Sequence, residues 1–277
     1  MSETQNSANR KQDIERIKKL RLLDDIFMKT VLKGNPAAVQ DIIRVILSRN
    51  DIHVMEVRIQ DEWPNLVGHG VRLDVTARDA EGKWYNIEIQ RDEEGANEKR
   101  ARYNLSALDW NTFPAGADYH ALPEAYIIFV TETDVFGRGL PRYTVRRVIE
   151  ETGEAFHDSS YIIYANASYH SDDDFGKLMS DFRETDPKKI HYASIAERAA
   201  FYKTTEGGVD SMCQIMEEVR QEGRVEGRIE GRKEERGEMI RALLRYNTAS
   251  SLLNDNQFKG LAITQAEIDS VQAKLPS

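Results

Sequence analysis

The stretch LDVTARDAEGKWYNIEIQ, residues 73–90, holds three side chains of types that do chemistry, at a spacing that brings them together. Successive residues of a strand point to opposite faces. Extended over 73–78, the chain puts Asp74, Thr76 and Arg78 on one face; over 84–90 it puts Trp84, Asn86, Glu88 and Gln90 on one face. A hairpin turn centred on Glu81 pairs position 74 with 88 and 76 with 86. Asp74 and Glu88 are then directly opposed, with Cβ atoms about 4.5–5.5 Å apart, where like charges destabilise. A divalent cation reverses that penalty. Carboxylates plus waters make a hard, oxygen-rich site that suits Mg2+ or Mn2+. Such an ion lowers the pKa of a bound water and neutralises charge on a phosphate, the two needs of phosphodiester cleavage. Gln90, on the same side, can orient the attacking water or bond a phosphate oxygen, and the carbonyl of Ile89 is a further candidate ligand. The same residues also fit a hairpin face that is merely solvated.

Several elements must position this hairpin. IERIKKLRLLDDIFMKTVLKG has apolar residues at Ile14, Ile17, Leu20, Leu23, Phe27 and Val31, the spacing of one helix, with Gly34 as its stop. Pro36 opens a second helix that ends near Asn50. HVMEVRIQ (53–60) alternates as a strand does, and DEWPNLVGHG (61–70) reads as a loop. Strands are expected near 71–78 and 84–91, a helix over 97–110, a loop at GADYHALP, buried strands at 124–132 and 160–166, and helices at 171–183 and 191–203. Strands grouped between flanking helices predict an α/β domain on one mixed sheet.

The rest of the chain narrows the function classes. Cys213 is the only cysteine in 277 residues, so a disulfide framework or a Cys-based zinc site within the chain is excluded. It is expected as a buried or interface thiol. The six histidines are scattered, and no phosphate-cradling GxxxxGK[ST] or GxSxG element occurs. Trp63, Trp84 and Trp110 are expected as packing residues rather than base-stacking platforms. No apolar signal core opens the chain, and no run approaches the roughly 18 apolar residues of a membrane span, so a soluble cytoplasmic protein is expected. The net charge of −9 counts against a nucleic-acid binder. Local basic stretches stand beside it: NEKRAR, and RGLPRYTVRR (138–147) with four arginines and no acids.

Three regions are expected: a disordered N-terminus over 1–12, a domain over 13–206, and a charged helical tail over 207–277. The tail repeats EGRx at 222–225, 226–229 and 230–233. Its Glu222/Glu226/Glu230/Glu234 and Arg220/Arg224/Arg228/Arg232 rows nearly cancel in charge, which points to a solvated or self-associating helix rather than one that binds nucleic acid. Glycine at every fourth position costs about 1 kcal/mol each relative to alanine but lets another helix approach closely. The final segment carries a capping box at Thr264/Glu267 and is expected as a small pair of helices.

An aspartate on one strand and Glu-x-Lys or Glu-x-Gln on the next is the signature of the PD-(D/E)XK nucleases. The stretch RLDVTARDAEGKWYNIEIQRDEEGANEKRARYNLSALD, with DDIFMKTVL upstream and GADYHALPEAYIIFVTETDVFG downstream, resembles the PD-(D/E)XK nuclease family transposases, or recombination-promoting nucleases. The EGR tail resembles theirs too, so the likeness spans roughly residues 20–245. The resemblance implies a restriction-endonuclease-like α/β core, a central mixed sheet flanked by helices, with a helical C-terminal tail. It implies a Mg2+-dependent (or Mn2+-dependent) DNA endonuclease associated with transposition or recombination. Carried over, Asp74 and Glu88 are metal ligands, Gln90 stands at the position of the usual lysine, and Asp25 or Asp24 adds an acid from the first helix. Arg100, Arg102 and Tyr103, on the helix after the motif, are expected to contact DNA. Gln90 supplies no positive charge. The alternative is therefore a nuclease fold of weak or lost activity that binds DNA or forms a homo-oligomer through its C-terminal helix.

Overall fold

The computed structural model describes the backbone of residues 3–63, 71–91 and 93–273, and the side chains of 10–60, 71–91 and 95–273. The predicted loop at 61–70 lies largely outside the described residues; its first three form the end of a strand. The chain divides into two compact units, Met1–Cys213 and Gln214–Ser277.

The first unit opens with α1 (Glu3–Lys19), so residues 3–12, expected to be disordered, are helical. The single helix expected over 14–34 is two. The chain turns at Leu20–Asp24, where the Arg21 amide donates to the Asp24 carboxylate at 2.7 Å, and α2 (Asp25–Leu32) follows. Leu22 and Leu23 are buried in the core, so the apolar spacing continues across the break and hides it. Helix α3 (Pro36–Leu47) starts as expected: proline fills the first turn, and the Asn35 side chain accepts from the Ala38 amide.

Strands β1 (Val54–Trp63), β2 (Val71–Asp79) and β3 (Trp84–Gln90) form an antiparallel meander. Helix α4 (Glu98–Thr112) crosses over to β4 (Ala125–Thr131), which is parallel to β3. Next come β5 (Arg142–Val145) and β6 (Ser160–Asn166), β6 parallel to β4 and β5 antiparallel to β6. The sheet order is β1-β2-β3-β4-β6-β5. Every residue of β4 is buried, as a central parallel strand requires. Strand β5 was not expected: it is four residues long, at the sheet edge, with partly or fully exposed side chains, so no apolar run marks it.

Helix α4 covers one face through Ala101, Leu105 and Leu108, packed with Leu73, Trp84, Ile127 and Phe129. On the other face, Ile46 and Leu47 of α3 line a cavity with Tyr126 and Tyr161. The unit closes with α5 (Asp174–Arg183), α6 (Ala193–Thr204) and the start of α7 (Glu206–Leu244). The expected boundary at 207 falls inside α7, which runs unbroken through Gly207 and Gly208. In the second unit the rest of α7 packs with α8 (Ala249–Asn254) and α9 (Gln265–Gln272) around Ile240, Leu252 and Ile268.

Candidate active site

The hairpin turns where its residues dictate. Gly82 takes a φ of 86°, and the Asp79 carboxylate accepts from the Glu81 and Lys83 amides at 3.0 and 2.9 Å. The register pairs Thr76 with Asn86 and Val75 with Ile87, as a turn centred on Glu81 demands. One step further, the Asp74 amide donates to Glu88 Oε1 at 3.1 Å. Asp74 and Glu88 therefore meet at the end of the paired strands.

Their surroundings differ from a solvated hairpin face. Glu88 is 0% exposed. Its Oε1 also accepts from Asn86 Nδ2 at 2.9 Å, and its Oε2 from Arg100 Nη2 at 3.2 Å. Burial, then the neighbouring Asp74 charge, pushes the Glu88 carboxyl well above the usual carboxylate range, against the pull of Asn86, the Asp74 amide and Arg100. A carboxylate with no further role is seldom kept in such a place.

Asp74 has a different partner. Lys29 Nζ, from α2, lies 2.8 Å from Asp74 Oδ1 and 2.7 Å from Asp25 Oδ1. Burial works against its charge, but the Asp25 and Asp74 carboxylates outweigh it and raise the lysine pKa. Asp25 thus shares Lys29 with Asp74. Asp24 is held elsewhere, by Arg91 at 2.9 Å, and Arg91 also holds Glu132 at 2.9 Å. Lys29 was missed in the sequence, where it is one of several lysines on an amphipathic helix.

Gln90 folds over the 3-10 turn Glu93–Ala96, so close that a Cβ on Gly95 would lie 2.0 Å from its Oε1. Arg100 points inward, onto Glu88 and the Gly95 carbonyl, while Arg102 and Tyr103 are exposed. Trp84 packs as expected; Trp110, expected as a packing residue, is 65% exposed on α4. The side chain of Trp63 lies outside the described residues. Cys213 is half-buried on α7. The basic stretch 138–147 is largely structural: Arg142 holds the Ile46 carbonyl and Ser48, Arg146 lies over the Tyr161 ring, and Arg147 pairs with Asp158.

The donor set suits a hydrated hard cation. Two carboxylates converge, and beside them the buried Asn86 Oδ1 has no protein partner among the described residues. Among those residues, no group of three or more His, Cys, Asp or Glu side chains is placed to hold an ion. Mg2+ commonly keeps several waters and needs only one or two carboxylates.

A mixed six-stranded sheet flanked by helices, with a long C-terminal helix, is consistent with the PD-(D/E)XK α/β fold. Within that class the chain belongs to the PD-(D/E)XK nuclease family transposases, whose family model matches residues 15–170. Nucleases of this class typically use divalent metals. The match ends ahead of α5, so the EGR tail lies beyond it. No curated protein and no solved structure matches the chain. No helix among the described residues is long and apolar enough to cross a membrane.

Proposed function

We propose that the chain is a Mg2+-dependent DNA endonuclease, also served by Mn2+, that hydrolyses phosphodiesters in transposition or recombination in the cytoplasm. The observation that supports this most is the wholly buried Glu88 beside Asp74, each met by a cation from a different helix. Asp74 and Glu88 hold the ion, with the Ile89 carbonyl as a further ligand. When bound, the ion supplies an acidified water and neutralises charge on the phosphate. The Gln90 amide orients the attacking water or donates to a phosphate oxygen. Lys29 supplies the positive charge that Gln90 lacks, and Asp25 keeps it ionised and aimed. Arg100 anchors Glu88, and Arg102 and Tyr103 contact the DNA.

Plasmid nicking in Mg2+ or Mn2+ tests this, alongside calorimetric titration with Mn2+. Asp74→Ala and Glu88→Ala should each abolish nicking and weaken Mn2+ binding. Variants that cut as wild type does would sink the assignment.

A second reading is an inactive nuclease fold that works by assembly. The exposed Val225 and Ile229 on α7, flanked by the Glu and Arg rows, favour self-association through that helix. This reading expects no metal-dependent cleavage by the wild type, and self-association that depends on those two residues.

A further inference from the structure

Helix α4 leaves the site at Arg100 with two unlike faces. Ala101, Asn104, Leu105 and Leu108 are buried. Lys99, Tyr103, Ser106 and Trp110 recur at i, i+4, i+7 and i+11, and all are exposed. Residues so spaced form one stripe along a helix. Arg102 borders the stripe and is exposed; of the helix's acids, Glu98 is exposed in the first turn, ahead of the stripe's aromatic residues, and Asp109 is half-buried.

The aromatic members are unusually open for their size. Tyr103 is 42% and Trp110 65% exposed. Seven residues of helix separate them by about 10.5 Å. Just past the helix end, Tyr119 is 86% exposed and stacked on Phe113, with ring centroids 5.8 Å apart and planes 24° apart. Phe113 lies against that ring, which stays largely exposed. Aromatic faces interleaved with cations bind a single strand: bases stack on the rings, and lysine and arginine meet the backbone. A fully paired duplex offers phosphates but no base faces, so cations alone would serve it.

We propose that the exposed face of α4, continued by Tyr119, is a track for an unpaired DNA strand leading to the Asp74–Glu88 site, so that the substrate carries a single-stranded segment. This rests on the nuclease reading for the identity of the nucleic acid, and it adds the substrate class. Trp110 is the principal stacking platform.

The test uses the full chain without metal and labelled oligo(dT) against a blunt duplex of equal length, both read by fluorescence anisotropy. Trp110→Ala keeps a good helix former at an exposed position, so the fold should hold, and a thermal melt checks it. Trp110→Ala should weaken oligo(dT) binding by roughly tenfold or more and leave duplex binding unchanged, while Trp110→Phe retains most of the affinity. Equal loss for both ligands, no loss for either, or a wild-type chain that does not bind oligo(dT) overturns the proposal. Failure of the nuclease reading looks different: a wild type that does not nick plasmid, yet binds oligo(dT) through Trp110, keeps the track and loses the enzyme.

Discussion

Asp74 and Glu88 are answered by separate cations, Lys29 at 2.8 Å and Arg100 at 3.2 Å. Removing a positive charge aimed at developing negative charge typically costs a hundredfold or more in rate. Lys29→Met is therefore expected to slow single-turnover cleavage by roughly a hundredfold. It also leaves Asp74 beside Glu88 without a counter-charge, so the metal-free variant should lose about 2 kcal/mol of stability. Mg2+ should raise the melting temperature of the variant more than that of wild type; equal shifts would separate Lys29 from the site. If Lys29 already supplies the charge, Gln90→Lys should change the rate by less than about tenfold. Gly95→Ala probes Gln90 from the other side. The new Cβ would meet Gln90 Oε1 at 2.0 Å, and only the end of a flexible side chain has to move. Stability should change by less than about 1 kcal/mol while cleavage falls, compared by urea melts and nicking assays. The register itself was legible: a turn at Glu81 predicts the Thr76–Asn86 pairing that forms, and one step beyond the last paired residues the Asp74 amide reaches the Glu88 carboxylate. Lys29 was not, because nothing in its local pattern distinguishes a lysine aimed at a carboxylate from one aimed at water.

The elements that carry these residues are held by contacts distant in sequence. Lys203 on α6 donates to the Leu20, Thr185 and Lys18 carbonyls, the latter two at 2.6 and 3.4 Å, and lies 4.8 Å from the Phe27 ring centroid. Its ammonium ties the turn between α1 and α2 to the rest of the unit, and so helps place Asp25 and Lys29. Lys203→Met would leave three part-buried carbonyls without this donor and should cost about 2 kcal/mol, read from the urea midpoint. The capping box of α9 was legible from Thr264 and Glu267 alone, and both of its hydrogen bonds form. Arg236 was not: from α7 it pairs with Glu267 and donates to the Leu261 and Ala262 carbonyls at 3.1 and 3.0 Å. Arg236, then Thr264, hold the Glu267 carboxyl down to about 2, below its ordinary value of 4.5. A folded-state pKa below the unfolded one stabilises fully above the unfolded value. That contribution should therefore be present above about pH 4.5 and lost as pH falls towards about 2. Glu267→Gln should flatten this part of the melting-temperature profile, followed by circular dichroism; an unchanged slope would remove the pair as its source.

Across the whole molecule, charge and apolar surface are unevenly distributed. The net −9 coexists with cations drawn to the acids of the site and to the exposed stripe of α4. On α7, Val225 and Ile229 are 54% and 46% exposed between the Glu and Arg rows. In a parallel helix pair the two flanks of the apolar row face opposite flanks of the partner, so Glu would meet Arg. Val225→Asp with Ile229→Asp should then lower the sedimentation mass of the full chain, and an unchanged mass would exclude this row as an assembly surface. What the sequence by itself determined is what a short period or a local hydrogen bond dictates: the strands around Asp74 and Glu88, the turn between them, the start of α3, the buried β4 and the cap of α9. The break after α1, the edge strand β5, the exposure of Trp110, and the meeting of Lys29 with Asp74 and of Arg100 with Glu88 were decided by tertiary structure. The physical reason is that each depends on how whole elements pack, and residues far apart along the chain contribute to that packing together, whereas an alternation or a capping box is complete within a few residues.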